Sequence, residues 1–164
     1  MRMNQINEKD KQLFRDTVDA EVLMNKDGVN QINKAERKPA FTAYSFVLDG
    51  RIGGEEIVNY AQDGISEKQI NIMKHGHIDN TASIDLHGYT PEKACEALSN
   101  FMYHHQFERF VHIIHGKGYR SDNEMSVLKT QVVDFLKQHP QVLAFHSCPP
   151  KDGGAGAVFA LLKK

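Results

Sequence analysis

Tryptophan is absent from this chain, and cysteine is nearly so, with Cys95 and Cys148 the only two. Two thiols this far apart make neither a disulfide framework nor a zinc ligand pair, which points to a reducing compartment and the cytoplasm. No apolar run approaches the ~20 residues needed to span a bilayer. Met1-Arg2-Met3-Asn4-Gln5 is followed by no apolar signal core, so neither a membrane span nor a leader is expected. An excess of one charge is also lacking. The net charge of −1 excludes bulk electrostatic attraction as the basis of nucleic-acid binding. Histidine, by contrast, is unevenly placed, with seven of the nine from residue 81 onward. There a bound phosphate would raise their pKa values and add local positive charge.

What is present divides into an N-terminal extension, 1–80, and a regular domain, 81–164. In the extension, Asn7 caps a helix over 8–20 with acidic residues in its first turn and Leu13, Phe14 and Val18 on one stripe. A helix this short must dock on something. Residues 27–40 read as polar linker and 41–49 as extended chain, followed by a turn over 49–54. Ser66 and Gln69 form a capping box for a short helix that stops at Gly76. His75 and His77 flank that glycine and read as exposed capping residues rather than metal ligands.

From residue 81 the pattern is β-α-β-α-β-β. A strand over 83–87 leads into a helix with Thr90 as N-cap and Pro91 in its first turn. Arg109–Ile114 is the second strand. The next helix runs from about Asn123, carries Met125, Leu128, Val132, Phe135 and Leu136, and is closed by Pro140. Val142–His146 and Ala157–Leu162 are the last strands. Right-handed crossovers then give an α/β two-layer sandwich: a four-stranded mixed sheet with two helices, antiparallel where the last short connection allows it.

Two strands end in His-Gly, as Asp85-Leu86-His87-Gly88 and as His115-Gly116-Lys117-Gly118. Period-2 geometry puts Asp85 and His87 on one face, where the carboxylate can orient the imidazole for acid–base work. The glycines let backbone N–H groups approach an anion, with Lys117 as a mobile cation and Arg120 just beyond. The turn at Lys151 to Gly156, with Gly153 and Gly154, is a third contributor if it lies at the same sheet edge. The plain structural reading is a capping aspartate, a satisfied histidine and flexible turns. A Walker-type phosphate loop is not present.

These paired motifs, followed by Gly153-Gly154-Ala155-Gly156 and a terminal apolar strand, resemble the Smr (small MutS-related) domain over residues 81–164. The extension resembles that of stand-alone bacterial Smr proteins. The stretch His146 to Gly154 resembles the subgroup described as DNA endonucleases of the SmrA type. The resemblance implies a fold like the C-terminal domain of bacterial translation initiation factor three. It also implies an endonuclease that nicks or cleaves nucleic acid, with DNA, structured or branched, as the expected substrate.

Carried onto this sequence, the catalytic residues are Asp85, His87 and His115. The substrate-contacting residues are Gly88, Gly116, Lys117, Gly118, Arg120, Lys151, Gly153 and Gly154. Tyr119-Arg120 departs from the small residues that many members have there. Tyr119 offers a stacking surface. No resident metal is expected. DNA would call for Mg²⁺ to activate water, and Asp85 alone is thin ligation for it. RNA would need none, because a histidine can take the proton of a 2′-hydroxyl. The alternatives are a metal-independent RNA endonuclease acting on mRNA at ribosomes, or a nuclease-inactive binding module. In either case the helix at 8–20 would dock on a ribosome or a repair protein.

Overall fold

The computed structural model describes residues 51–118 and 126–164. The expected helix over 8–20, the linker, the extended stretch 41–49, Tyr119, Arg120 and Met125 lie outside them. The described elements are β1 (Asn59–Ala61), α1 (Glu67–His75), β2 (Ala82–Asp85), α2 (Pro91–His104), β3 (Phe110–Ile114), α3 (Val127–Gln138), β4 (Val142–Ser147) and β5 (Ala157–Leu162). None of the described helices is long and apolar enough to cross a membrane.

Local chemistry sets the helix ends. Thr90 accepts the Lys93 amide at 3.4 Å and Ser126 accepts the Lys129 amide at 3.2 Å, each satisfying a first-turn N–H. Ser66 and Gln69 form the expected capping box, in which Gln69 accepts the Ser66 amide at 3.2 Å. Gly76 ends α1 at φ +66°, and a Cβ there would fall 2.2 Å from Asp152 Oδ2. Conformation and crowding both demand glycine at that position.

The sheet order is β1-β4-β5-β3-β2. β2 and β3 are parallel, whereas β5 runs antiparallel to both β3 and β4 and sits between them. The mixed α/β sheet is as expected, and it is larger by one strand and one helix. β1 adds antiparallel to β4, with Asn59 opposite His146. α1 covers the sheet face that a two-layer sandwich would leave open.

On one face α2 and α3 bring Leu98, Met102, Val132, Phe135 and Leu136 onto Val111, Ile113, Phe145, Val158 and Ala160. On the other, Met73 of α1, with Ile65, Ile70 and Ile78, packs on Ala144, Ala157, Phe159 and Leu161. Every residue of β5 is therefore buried. Met73 is fully buried, a burial that stabilises by ~1.5–3 kcal/mol.

Register decides where the loops go. Asp85 stands opposite Ile114, Ile114 opposite Ala157, and Ser147 opposite Val158. The C-terminal ends of β2, β3 and β4 thus share one edge with the start of β5. The turns after Asp85, after Ile114 and over 148–156 gather there, which answers where the glycine-rich turn lies.

Candidate functional site

Along β2, Ile84 and Leu86 turn into the core while Ser83 and Asp85 face out. His87 follows in the same phase, and Gly88, at φ +77°, makes the turn beyond the strand in open space. Asp85 Oδ1 accepts the His87 amide at 3.0 Å and lies 2.7 Å from His87 Nδ1. Partial burial raises the Asp85 pKa. The His87 amide, the His87 ring and the charges of His87 and His112 outweigh that and hold the carboxyl below its usual value. An ionised Asp85 can only accept, so His87 Nδ1 carries the proton. In the neutral ring Nε2 keeps its lone pair, on a side chain that is 75% exposed. This is an oriented, accessible base.

The second loop passes beside it. The amides of His115 and Gly116 both donate to the Gly156 carbonyl, at 3.0 and 2.9 Å, which ties the loop to the glycine-rich turn. Gly116 is left-handed at φ +76°, and a Cβ on it would lie 3.6 Å from the His87 Cβ. Gly118 is left-handed too, and a Cβ on it would strike Ser126 at 2.8 Å. Lys117 Nζ donates to both carboxylate oxygens of Glu55, each at 3.0 Å. In the third loop Lys151 Nζ donates to the Gly76 carbonyl at 3.2 Å, and Gly153 and Gly154 are both left-handed.

His115 departs from expectation. It is 2% exposed, its Nδ1 donates to the Gly116 carbonyl at 2.8 Å, and its Nε2 is buried with no hydrogen-bond partner. Burial pushes its pKa down to about 4; the bond to Gly116 opposes this and the Lys129 charge adds to it. His115 shares the phase of Val111 and Ile113, the core face of β3, whereas Asp85 and His87 share the outward phase of β2. His115, expected among the catalytic residues, is thus a buried imidazole bonded to the loop backbone, on the core side of β3 and not in the exposed phase of Asp85 and His87.

Sequence reasoning missed two residues. His112 lies opposite Ser83 in the β2–β3 register, with Ser83 Oγ 3.0 Å from its Nδ1. Its Nε2 donates to the Asp152 carbonyl at 2.9 Å, and its ring packs 4.8 Å from that of Phe159. Its phase, opposite to that of Ile113, was the available signal. Glu55, 62 residues from its partner Lys117, had none. Arg120 lies outside the described residues. Among the described residues no group of three or more His, Cys, Asp or Glu is placed to hold a metal ion. His75 and His77 stack on one another at 5.8 Å.

A family model described as the Smr domain matches residues 84–163. Among solved structures, YdaL, a stand-alone small MutS-related protein from Escherichia coli, aligns with a TM-score of 0.64 and 25% identity. That alignment covers 76% of this chain and 95% of YdaL. Among curated proteins, the ribosome rescue factor SmrB of Aliivibrio salmonicida is 33% identical over 107 residues, 64% of this chain and 57% of that protein. SmrB of Tolumonas auensis is 23% identical over 176 residues, 99% of this chain and 98% of that protein. The chain spans less than two thirds of the Aliivibrio relative that it matches.

Proposed function

Residues 84–163 belong to the Smr domain family, and from that membership and the geometry of the Asp85–His87 pair we propose that this protein is an endonuclease that cuts RNA by a metal-independent route. The observation that carries the proposal is the 2.7 Å contact between Asp85 Oδ1 and His87 Nδ1, which turns Nε2 outward beside two glycine turns. The name ribosome rescue factor, borne by relatives of similar sequence, favours mRNA at a ribosome over the DNA that the sequence resemblance implied.

In this reading His87 Nε2 takes the proton of a 2′-hydroxyl, whose oxygen attacks the adjacent phosphorus. The bond to the 5′-oxygen breaks, leaving a 2′,3′-cyclic phosphate and a 5′-hydroxyl once that oxygen gains a proton. Asp85 holds the ring in the required tautomer and stabilises the imidazolium. Lys117 exchanges Glu55 for the phosphate and stabilises the charge growing on its oxygens. The donors gathered here suit this route better than metal-activated water, for which Asp85 has no cluster of companion ligands among the described residues. The helix expected over 8–20 is our candidate for the ribosome contact.

Labelled single- and double-stranded RNA and DNA, incubated with the protein in EDTA or in Mg²⁺, test the proposal. Cyclic-phosphate ends formed in EDTA are the expected result. Nicks in duplex DNA that require Mg²⁺ would restore the DNA reading, and no product with any substrate would leave a binding module.

A further inference from the structure

Next to the catalytic turn, and not used by the chemistry above, lies an open groove of about 690 Å³ lined by Gly88, Tyr89, Thr90 and the outer face of α2. We propose that this groove is a nucleotide subsite that holds the base next to the cut bond, with adenine preferred. The inference deepens the RNA-endonuclease reading and rests on it for the words "next to the cut bond"; the groove's chemistry stands without it.

The helix contributes Lys93, Glu96, Ala97 and Asn100 to this groove. They fall at i, i+3, i+4 and i+7, one continuous face of α2. The core stripe Ala94, Leu98 and Met102 occupies the other side and is fully buried. The three polar members are exposed and Ala97 is half-buried, so the groove has an apolar floor between hydrogen-bonding walls. A solvated helix face needs no such floor. It also needs no large aromatic beside it, yet Tyr89 stands at the groove's head with 47% of its surface exposed. Its amide donates to the Leu86 carbonyl at 3.0 Å, which fixes the turn that presents the ring.

Each wall matches one part of a nucleotide. The Tyr89 ring offers a stacking face to a base. Lys93, in the first turn of a helix that begins at Pro91, offers a cation to a phosphate where the helix N-terminus already favours negative charge. Asn100 can pair bidentately with the N6 and N7 of adenine, and the Glu96 carboxylate accepts from an exocyclic amine but repels a carbonyl. Stacking favours the larger ring system, the Glu96 carboxylate disfavours uracil O4, and the Asn100 pairing with N6 and N7 favours adenine over guanine, which has a carbonyl in place of N6. Adenine satisfies all three. Continuity sets the register, because Gly88 alone separates Tyr89 from His87. A base seated on Tyr89 therefore carries its phosphate toward the exposed Nε2.

The test uses the full chain and two probes that cannot be cut through a sugar hydroxyl, 2′-O-methyl triadenylate and 2′-O-methyl triuridylate. Titration followed by amide chemical shifts should move Tyr89, Lys93 and Asn100 with the adenylate, about ten-fold more tightly than with the uridylate. Tyr89→Ala should weaken adenylate binding by about ten-fold, as loss of one stacked base does. Tyr89→Phe should restore it, and Asn100→Ala should erase the preference for adenylate. Cut sites mapped on a random RNA pool should show adenine enriched at one position flanking the break, flattened in Asn100→Ala. Shifts confined to other surfaces, or equal affinity for both probes, would overturn the subsite. Adenylate binding at these residues in a protein that cuts no RNA would uphold the subsite and refute the nuclease reading instead.

Discussion

At the scale of single residues, the proposed chemistry places its whole weight on one imidazole and makes its neighbours helpers. His87→Ala removes the only exposed base that a carboxylate orients among the described loops. RNA cleavage should fall ~10²–10⁴-fold while the Kd for uncut RNA stays within about two-fold; unchanged cleavage would remove His87 from the reaction. Lys117 acts through charge. Lys117→Ala should weaken RNA binding and make log K versus log salt shallower by ~0.7, the signature of one lost phosphate contact on a single strand. Asp85 and His87 were legible in the sequence because strand periodicity alone puts them together. The burial of His115 was not foreseen because its motif, His-Gly before a cationic loop, outshone its phase. Counting by two from Val111 and Ile113 leads into the core, and the structure follows the count.

At the scale of elements, the loop over 53–56 is held from below by a buried charge. Lys129 on α3 is completely buried, and its Nζ donates to the carbonyls of Gly53 at 3.0 Å, Gly54 at 3.1 Å and Glu56. Burial lowers its pKa, Glu56 and Glu55 oppose this, and Lys117 adds to it. The Ile52 amide also donates to Thr130 Oγ1 at 3.0 Å, so the whole loop is stitched to α3. Lys129→Met should destabilise the fold by ~2–4 kcal/mol in urea titrations, since three carbonyls lose their donor. A variant as stable as the parent would refute the stitch. None of this was readable beforehand, because the partners are more than 70 residues apart. β1 escaped for a related reason: three residues are too short a run for alternation to stand out in the sequence, and only pairing with β4 makes them a strand. α1 was readable because its caps are local, yet the sheet face it covers was not.

At the scale of the whole molecule, acid should loosen the fold through its interior histidines. Burial pushes both His115 and His139 down to about 4. Above pH 6.5 each is neutral whether folded or unfolded and contributes no pH dependence. Below it the unfolded chain takes up protons that the folded chain refuses, so stability falls as pH drops from 6.5 toward 4. The loss is on the order of 3 kcal/mol per histidine at the limit. Urea midpoints measured across that range should fall steadily, and His139→Gln should remove about half of the slope. A flat profile would contradict the interior, neutral assignment. The order of assembly follows from the place of β5. It comes after β3 and β4 in the chain and yet lies between them, so a polypeptide grown only to residue 156 owns two separate ribbons, β2 with β3 and β1 with β4, and no strand to join them. Until those next few residues emerge, the edge on which Asp85, Gly116 and Gly153 meet does not exist, and a chain stalled short of that point has no such edge to offer.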